Sequence, residues 1–227
     1  MCFSANASFG AGVVLTVIGV ASLRKSQHPS QMLFASIPLF FAAQQITEGF
    51  LWLALRNPDQ LLRQQFLTYL FLFFAQVVWP LWVPIALLLL EKQATRKNIQ
   101  RLLVGIGVVI SVYLAYCLMT YRVEAKIIEH HISYIQDYPI KLRGYGALFY
   151  IFVTIFPPIF SHIRRMWLLG VTILLSFILT VVFYEYYVIS VWCFFASIVS
   201  VSVYLLMPGV QNAHQRHLTR NAQPSLY

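Results

Sequence analysis

The feature that most restricts this 227-residue chain is the spacing of its charges. Its 16 basic and 7 acidic residues leave uncharged stretches at 1–23, 26–47, 49–55, 64–90, 102–121, 144–163, 166–184 and 186–215. A helix that crosses a bilayer needs about 20 predominantly apolar residues, and it satisfies its own backbone donors and acceptors, which lipid cannot do. With 59% hydrophobic and 10% charged residues, a soluble globule of this size would expose apolar patches that aggregate. A membrane β-barrel would need alternating segments of roughly ten residues, and runs such as Leu87-Leu88-Leu89-Leu90 do not alternate. The expectation is an all-α, polytopic integral membrane protein. Its seven transmembrane helices fall at about 7–23, 32–55, 66–90, 102–121, 144–161, 166–184 and 188–207, a transmembrane domain over 1–208 followed by a polar tail at 209–227.

Lysine and arginine set the expected orientation, because cytoplasmic loops carry the excess. The loops after the first, third and fifth spans, with the tail, hold ten basic residues: Arg24, Lys25, Lys92, Arg96, Lys97, Arg101, Arg164, Arg165, Arg216 and Arg220. The other side holds six, diluted by Asp59, Glu124, Glu129, Asp137 and Glu185. The N-terminus is therefore expected outside and the C-terminus in the cytoplasm. The pI of about 9.6 reads as topology plus attraction to anionic lipid. The lipid bilayer is the expected partner and nucleic acid is not, since no soluble face carries a basic patch.

Glu48 is the one formally charged residue inside a span. An acid at that depth costs roughly 2.5–3.5 kcal/mol on insertion scales, so it should face the bundle interior. Eight residues separate it from Arg56, about 12 Å at 1.5 Å per residue, which puts it in the outer half of the membrane. Gln44, Glu48 and Trp52 recur at i, i+4 and i+8 and form one stripe. The same arithmetic brings Cys2, Cys117, His131 and Cys193 to the outer side, where His131 belongs to the loop 122–143. An outward-opening polar pocket is therefore expected, built by the first, second and seventh spans and that loop. Glu48 and Gln44 would form its floor, His131 a pH-responsive lid, and Trp52 and Trp192 its walls.

Three chemistries compete for such a pocket. A binding, sensing or transport-related protein would use it for a small molecule or lipid, or use Glu48 to relay protons or bind a cation. Thiolate, carboxylate and imidazole also make a zinc ligand set, so Cys2, Glu48, His131 and Cys193 are the metal candidates of an alternative, an intramembrane and metal-dependent enzyme acting on lipid. On an oxidising face, two of Cys2, Cys117 and Cys193 could instead form a disulfide. The glutamate and glutamines can equally be hydrogen-bond glue between helices. Prolines at 80, 84, 157 and 158 place bends in the third and fifth spans. Every lysine lies outside the spans, which excludes a retinal Schiff base.

Five motifs carry a resemblance: Met1-Cys2-Phe3-Ser4-Ala5 with Ser8-Phe9, the stretch Gln45 to Trp52, Trp79-Pro80-Leu81-Trp82-Val83-Pro84, His131-Ile132-Ser133-Tyr134, and Ser190 to Ala196. Together they resemble an uncharacterised family of bacterial multi-pass membrane proteins that open Met-Cys-Phe-Ser-Ala. The resemblance implies a polytopic protein of the bacterial inner membrane and supplies no activity, substrate or cofactor. Members of that family often carry His where Gln44 stands, a departure that removes an imidazole beside Glu48 and weakens the metal reading of this chain.

Overall fold

The computed structural model describes the backbone of residues 4–128, 130–184 and 187–222, and their side chains apart from 140–145, 147, 193, 194, 196, 197, 214 and 216–222. The helices are α1 (Ala5–Arg24), α2 (Pro29–Ala35), α3 (Ile37–Leu55), α4 (Leu61–Leu72), α5 (Trp79–Leu90), α6 (Ala94–Thr120), α7 (Ile140–Ile159), α8 (Met166–Phe183), α9 (Val188–Phe194) and α10 (Ala196–Ala222). Among the described residues, four helical stretches are long and apolar enough to cross a membrane: Ala5–Arg24, Pro58–Leu90, Ala94–Thr120 and Met166–Phe183. Gln44, Gln45 and Glu48 lower the hydropathy of α3, yet all three are buried against other helices. Many large apolar side chains face outward, and small residues favour close approach of helices where the solvent is hydrocarbon. On α1 the inward face is Ala5, Ser8, Gly12, Leu15, Gly19 and Ser22, while Val13, Val14 and Val17 are exposed. That small-residue face lies flush on α3, so that a Cβ at Gly12 would strike Ile46 and one at Gly19 would strike Leu39.

The structure differs from the expected all-α bundle in the loop 122–143, which contains a β-hairpin. Strands β1 (Val123–Ile128) and β2 (His131–Gln136) pair antiparallel from Val123↔Gln136 to Ile128↔His131. The cause is local: β2 alternates, with Ile132, Tyr134 and Gln136 buried and the residues between them more exposed, the period-two pattern of a half-buried strand. Tyr134 stacks on Phe71 of α4 with ring centroids 4.8 Å apart, which fastens the hairpin across that end of the bundle.

Several expected spans are interrupted. The stretch 32–55 divides into α2 and α3 at Ser36, just before Pro38, which has no N–H to continue the ladder. The stretch 66–90 starts earlier, at Leu61, and widens into a π-helical turn over Phe73–Val78 that separates α4 from α5. In a ladder of five-residue spacing the next donor to the Ala75 carbonyl would be residue 80, and Pro80 has none. The Tyr150 hydroxyl donates to the Ala75 carbonyl instead, at 2.6 Å, and Ser111 Oγ donates to the Val77 carbonyl at 2.9 Å. Tyr150→Phe should thus leave a buried carbonyl unmet and cost about 1–3 kcal/mol, read as a lower thermal midpoint with unchanged helix content. The stretch 188–207 is divided at Phe195 into α9 and α10. The described residues of the expected polar tail from Gly209 are helical and continue α10 as far as Ala222, and the Gln211 amide donates to the Lys25 carbonyl.

That contact belongs to a cluster of loops at the end of the bundle away from the hairpin. Ser30, Gln31, Leu90, Lys92, Val210 and Ala213 surround one small crevice there. Glu91 reaches across to His162, and Arg96 donates to the Ser161 carbonyl at 2.6 Å. The connections rich in Lys and Arg are thereby gathered at one end.

Candidate functional site

Between the hairpin and the helices lies a cavity of about 410 Å³. Its walls come from α3 (Ile37, Phe41), the π turn (Ala75, Gln76), α5, α6, α7, α8, α9 and Val199 of α10, and its roof from Ile132, Tyr134, Gln136 and Tyr138. The alternation of β2 turns three side chains of one face onto the cavity. Nine aromatic rings share the lining with aliphatic side chains: Phe41, Trp79, Tyr113, Tyr134, Tyr138, Tyr150, Phe177, Tyr187 and Trp192. Hydrogen bonds fix several of them. Tyr138 donates to Gln76 Oε1 at 3.0 Å, Trp192 Nε1 to Ser176 Oγ at 3.0 Å, and Tyr150 holds the π turn as described. Trp192 also packs edge-on against Tyr150 and Phe177. Concave, mostly apolar sites with a few fixed polar groups are the usual form of small-molecule sites.

The expected site residues fall around this cavity rather than at its centre. Glu48 is fully buried; Ser190 Oγ of α9 donates to its Oε1 at 2.7 Å and Gln45 Nε2 approaches Oε2 at 3.4 Å. Gln44, also fully buried, accepts from Trp79 Nε1 at 2.9 Å. These two residues line no part of the cavity. They stand behind its wall and hold Trp79 and α9, the latter carrying the lining residue Ile189, in place. Trp52 packs in an apolar cluster with Ala5, Leu51, Leu67 and Phe71 and does not line the cavity. His131 stacks on Tyr187 with ring centroids 4.4 Å apart, so it ties the hairpin to the start of α9. Of the five expected ligand-binding residues, only Trp192 lines the cavity.

Of the expected builders, α3 of the second span, α9 and α10 of the seventh and the loop 122–143 line the cavity, whereas no residue of α1 does, because its small-residue face closes on α3. Cys2 and the side chain of Cys193 lie outside the described residues, and with them the metal set Cys2, Glu48, His131 and Cys193 and a disulfide through either thiol. Cys117 is a free, buried thiol. Among the described residues no three His, Cys, Asp or Glu side chains group as metal ligands.

Sequence reasoning missed Gln136 and Tyr150 as cavity residues. The alternation Ile132, Tyr134, Gln136 was the available signal, masked by reading the segment as a loop. It also missed Glu91, which was counted only as a loop charge. Glu91 is 1% exposed and lies 2.7 Å from His162 Nδ1. The backbone N–H groups of Lys92 and Gln93 donate to Oε1 at 3.1 and 2.9 Å, and that of His162 to Oε2 at 3.1 Å. Burial pushes its carboxyl up, and the hydrogen bonds from His162 and Gln93 with the His162 charge outweigh it, so the net position is below the ordinary glutamate value.

No curated protein and no solved structure matches the chain. A family model described as a family of unknown function, DUF6629, matches residues 1–219, in keeping with the resemblance to an uncharacterised family. The protein belongs to that family.

Proposed function

We propose that this chain is a seven-span protein of a bacterial inner membrane, with its N-terminus outside, whose function is to bind a small, largely apolar molecule in the cavity beneath the hairpin. The observation that carries the binding reading is a cavity of about 410 Å³, walled by aliphatic and aromatic side chains, with Tyr138, Tyr150 and Trp192 held in position by hydrogen bonds. The topology is supported by the gathering of the Lys- and Arg-rich connections at one end of the bundle, opposite the hairpin. On this reading the cavity lies toward the outer face, and Glu48 and Gln44 position its wall rather than touch the ligand.

The binding test uses the full chain in phosphatidylcholine nanodiscs and 1-dodecanol as probe, followed by equilibrium dialysis. Saturable binding of one probe per chain is expected. The double substitution Ile173→Trp with Val199→Trp, which blocks the end of the cavity away from the hairpin, should weaken it at least tenfold, about 1.4 kcal/mol. Uptake that does not saturate, or that the double substitution leaves unchanged in a chain of normal helix content, would refute the reading.

A further inference from the structure

The cavity is chemically two-ended. Away from the hairpin its lining is aliphatic, with Ile37, Val83, Leu169, Ile173 and Val199. Beneath the hairpin it carries Gln76, Gln136 and Tyr138. Among the described residues, no Asp, Glu, Lys, Arg or His side chain lines it, so those lining residues offer an ionised ligand no counter-ion in exchange for its water.

The two glutamines differ. Gln76 accepts from Tyr138, whereas Gln136 is 9% exposed and its Nε2 finds no acceptor among the described residues. A buried amide donor without an acceptor destabilises the fold, and among the buried amide donors without one, Gln136 alone lines the cavity. The period-two alternation of β2 turns this amide onto the cavity, where an occupant can supply the missing oxygen.

We propose that the cavity takes an uncharged single-chain amphiphile whose ester or hydroxyl oxygen accepts from Gln136 while its hydrocarbon runs toward the aliphatic end. This rests on the reading of the cavity as a binding site. Gln136 is then a ligand-binding residue that lowers the stability of the unoccupied protein.

The test compares three twelve-carbon probes on the full chain in nanodiscs: 1-monododecanoylglycerol, dodecanoate at pH 8 and dodecyltrimethylammonium. The neutral ester should bind at least tenfold more tightly than either ion. Gln136→Leu, read alongside the length-preserving Gln136→Met, should weaken the ester at least fivefold while the thermal midpoint of the unloaded chain stays or rises. A purely structural glutamine would instead lower the midpoint when replaced, and that result overturns the assignment. So does ester binding that survives both substitutions, or saturable binding of all three probes within threefold of one another. Failure of every probe to bind saturably overturns the binding reading itself.

Discussion

The Gly107→Ala chain is expected to be strongly destabilised, while Gly105→Ala, two residues away on the same helix, is expected to match or slightly exceed the parent in stability. A Cβ at Gly107 would be driven into the backbone carbonyl oxygen of Pro80, with the Pro80 carbonyl carbon and Pro84 close behind. A Cβ at Gly105 would meet nothing within 4 Å. Backbone cannot yield as a flexible side chain can, so α6 must part from α5 or tilt. Overpacking typically costs about 1–3 kcal/mol and more when backbone must shift, so a loss of about 3 kcal/mol is expected at Gly107. At Gly105 replacing glycine in a helix contributes up to about 1 kcal/mol in the opposite sense. Because α5 begins at the π turn that walls the cavity, binding of 1-dodecanol should fall along with the midpoint. Equal midpoints for the two alanine chains would show that the α5–α6 approach is not as close as described.

Glu91→Ala is the second large effect. It removes the acceptor for three backbone N–H groups in the connections after α5 and α7, together with the partner of His162. Removing one side of a buried, hydrogen-bonded pair costs about 3–5 kcal/mol. The pH dependence carries the sign. A carboxyl held below its ordinary value in the folded chain adds stability that is present above 4.5 and is lost as pH falls through the folded value. Acidification below pH 4.5 should therefore lower the thermal midpoint of the parent, and Glu91→Gln should shrink that drop while starting from a lower midpoint. An unchanged acid slope in the Gln chain would assign the transition to another group.

Glu48 shows how far a one-dimensional reading reaches. Its uncharged surroundings and its helical spacing to Gln44 fixed that it must be buried, and it is. The identity of its partner, Ser190, lies 142 residues away in the chain, and no spacing rule couples residues that far apart. Gln136 is the converse case. Strand periodicity in 131–136 was readable, but the cavity beneath it forms only where the π turn, α7, α8 and α9 converge. Trp52 shared the stripe of Glu48, yet it turned toward α1 and α4, because a stripe at i, i+4 and i+8 drifts around a helix and two neighbours can share it.

Composition and charge spacing by themselves determined the solvent of this protein, its helical character and the rough position of its apolar segments, since those follow from what hydrocarbon tolerates residue by residue. Only the tertiary structure decided which helix faces meet, where proline opens the ladder and whose hydroxyl closes it again, and that the void lies beside the buried acid rather than around it. Those outcomes depend on shape and partner identity between distant parts of the chain, which hydropathy does not encode.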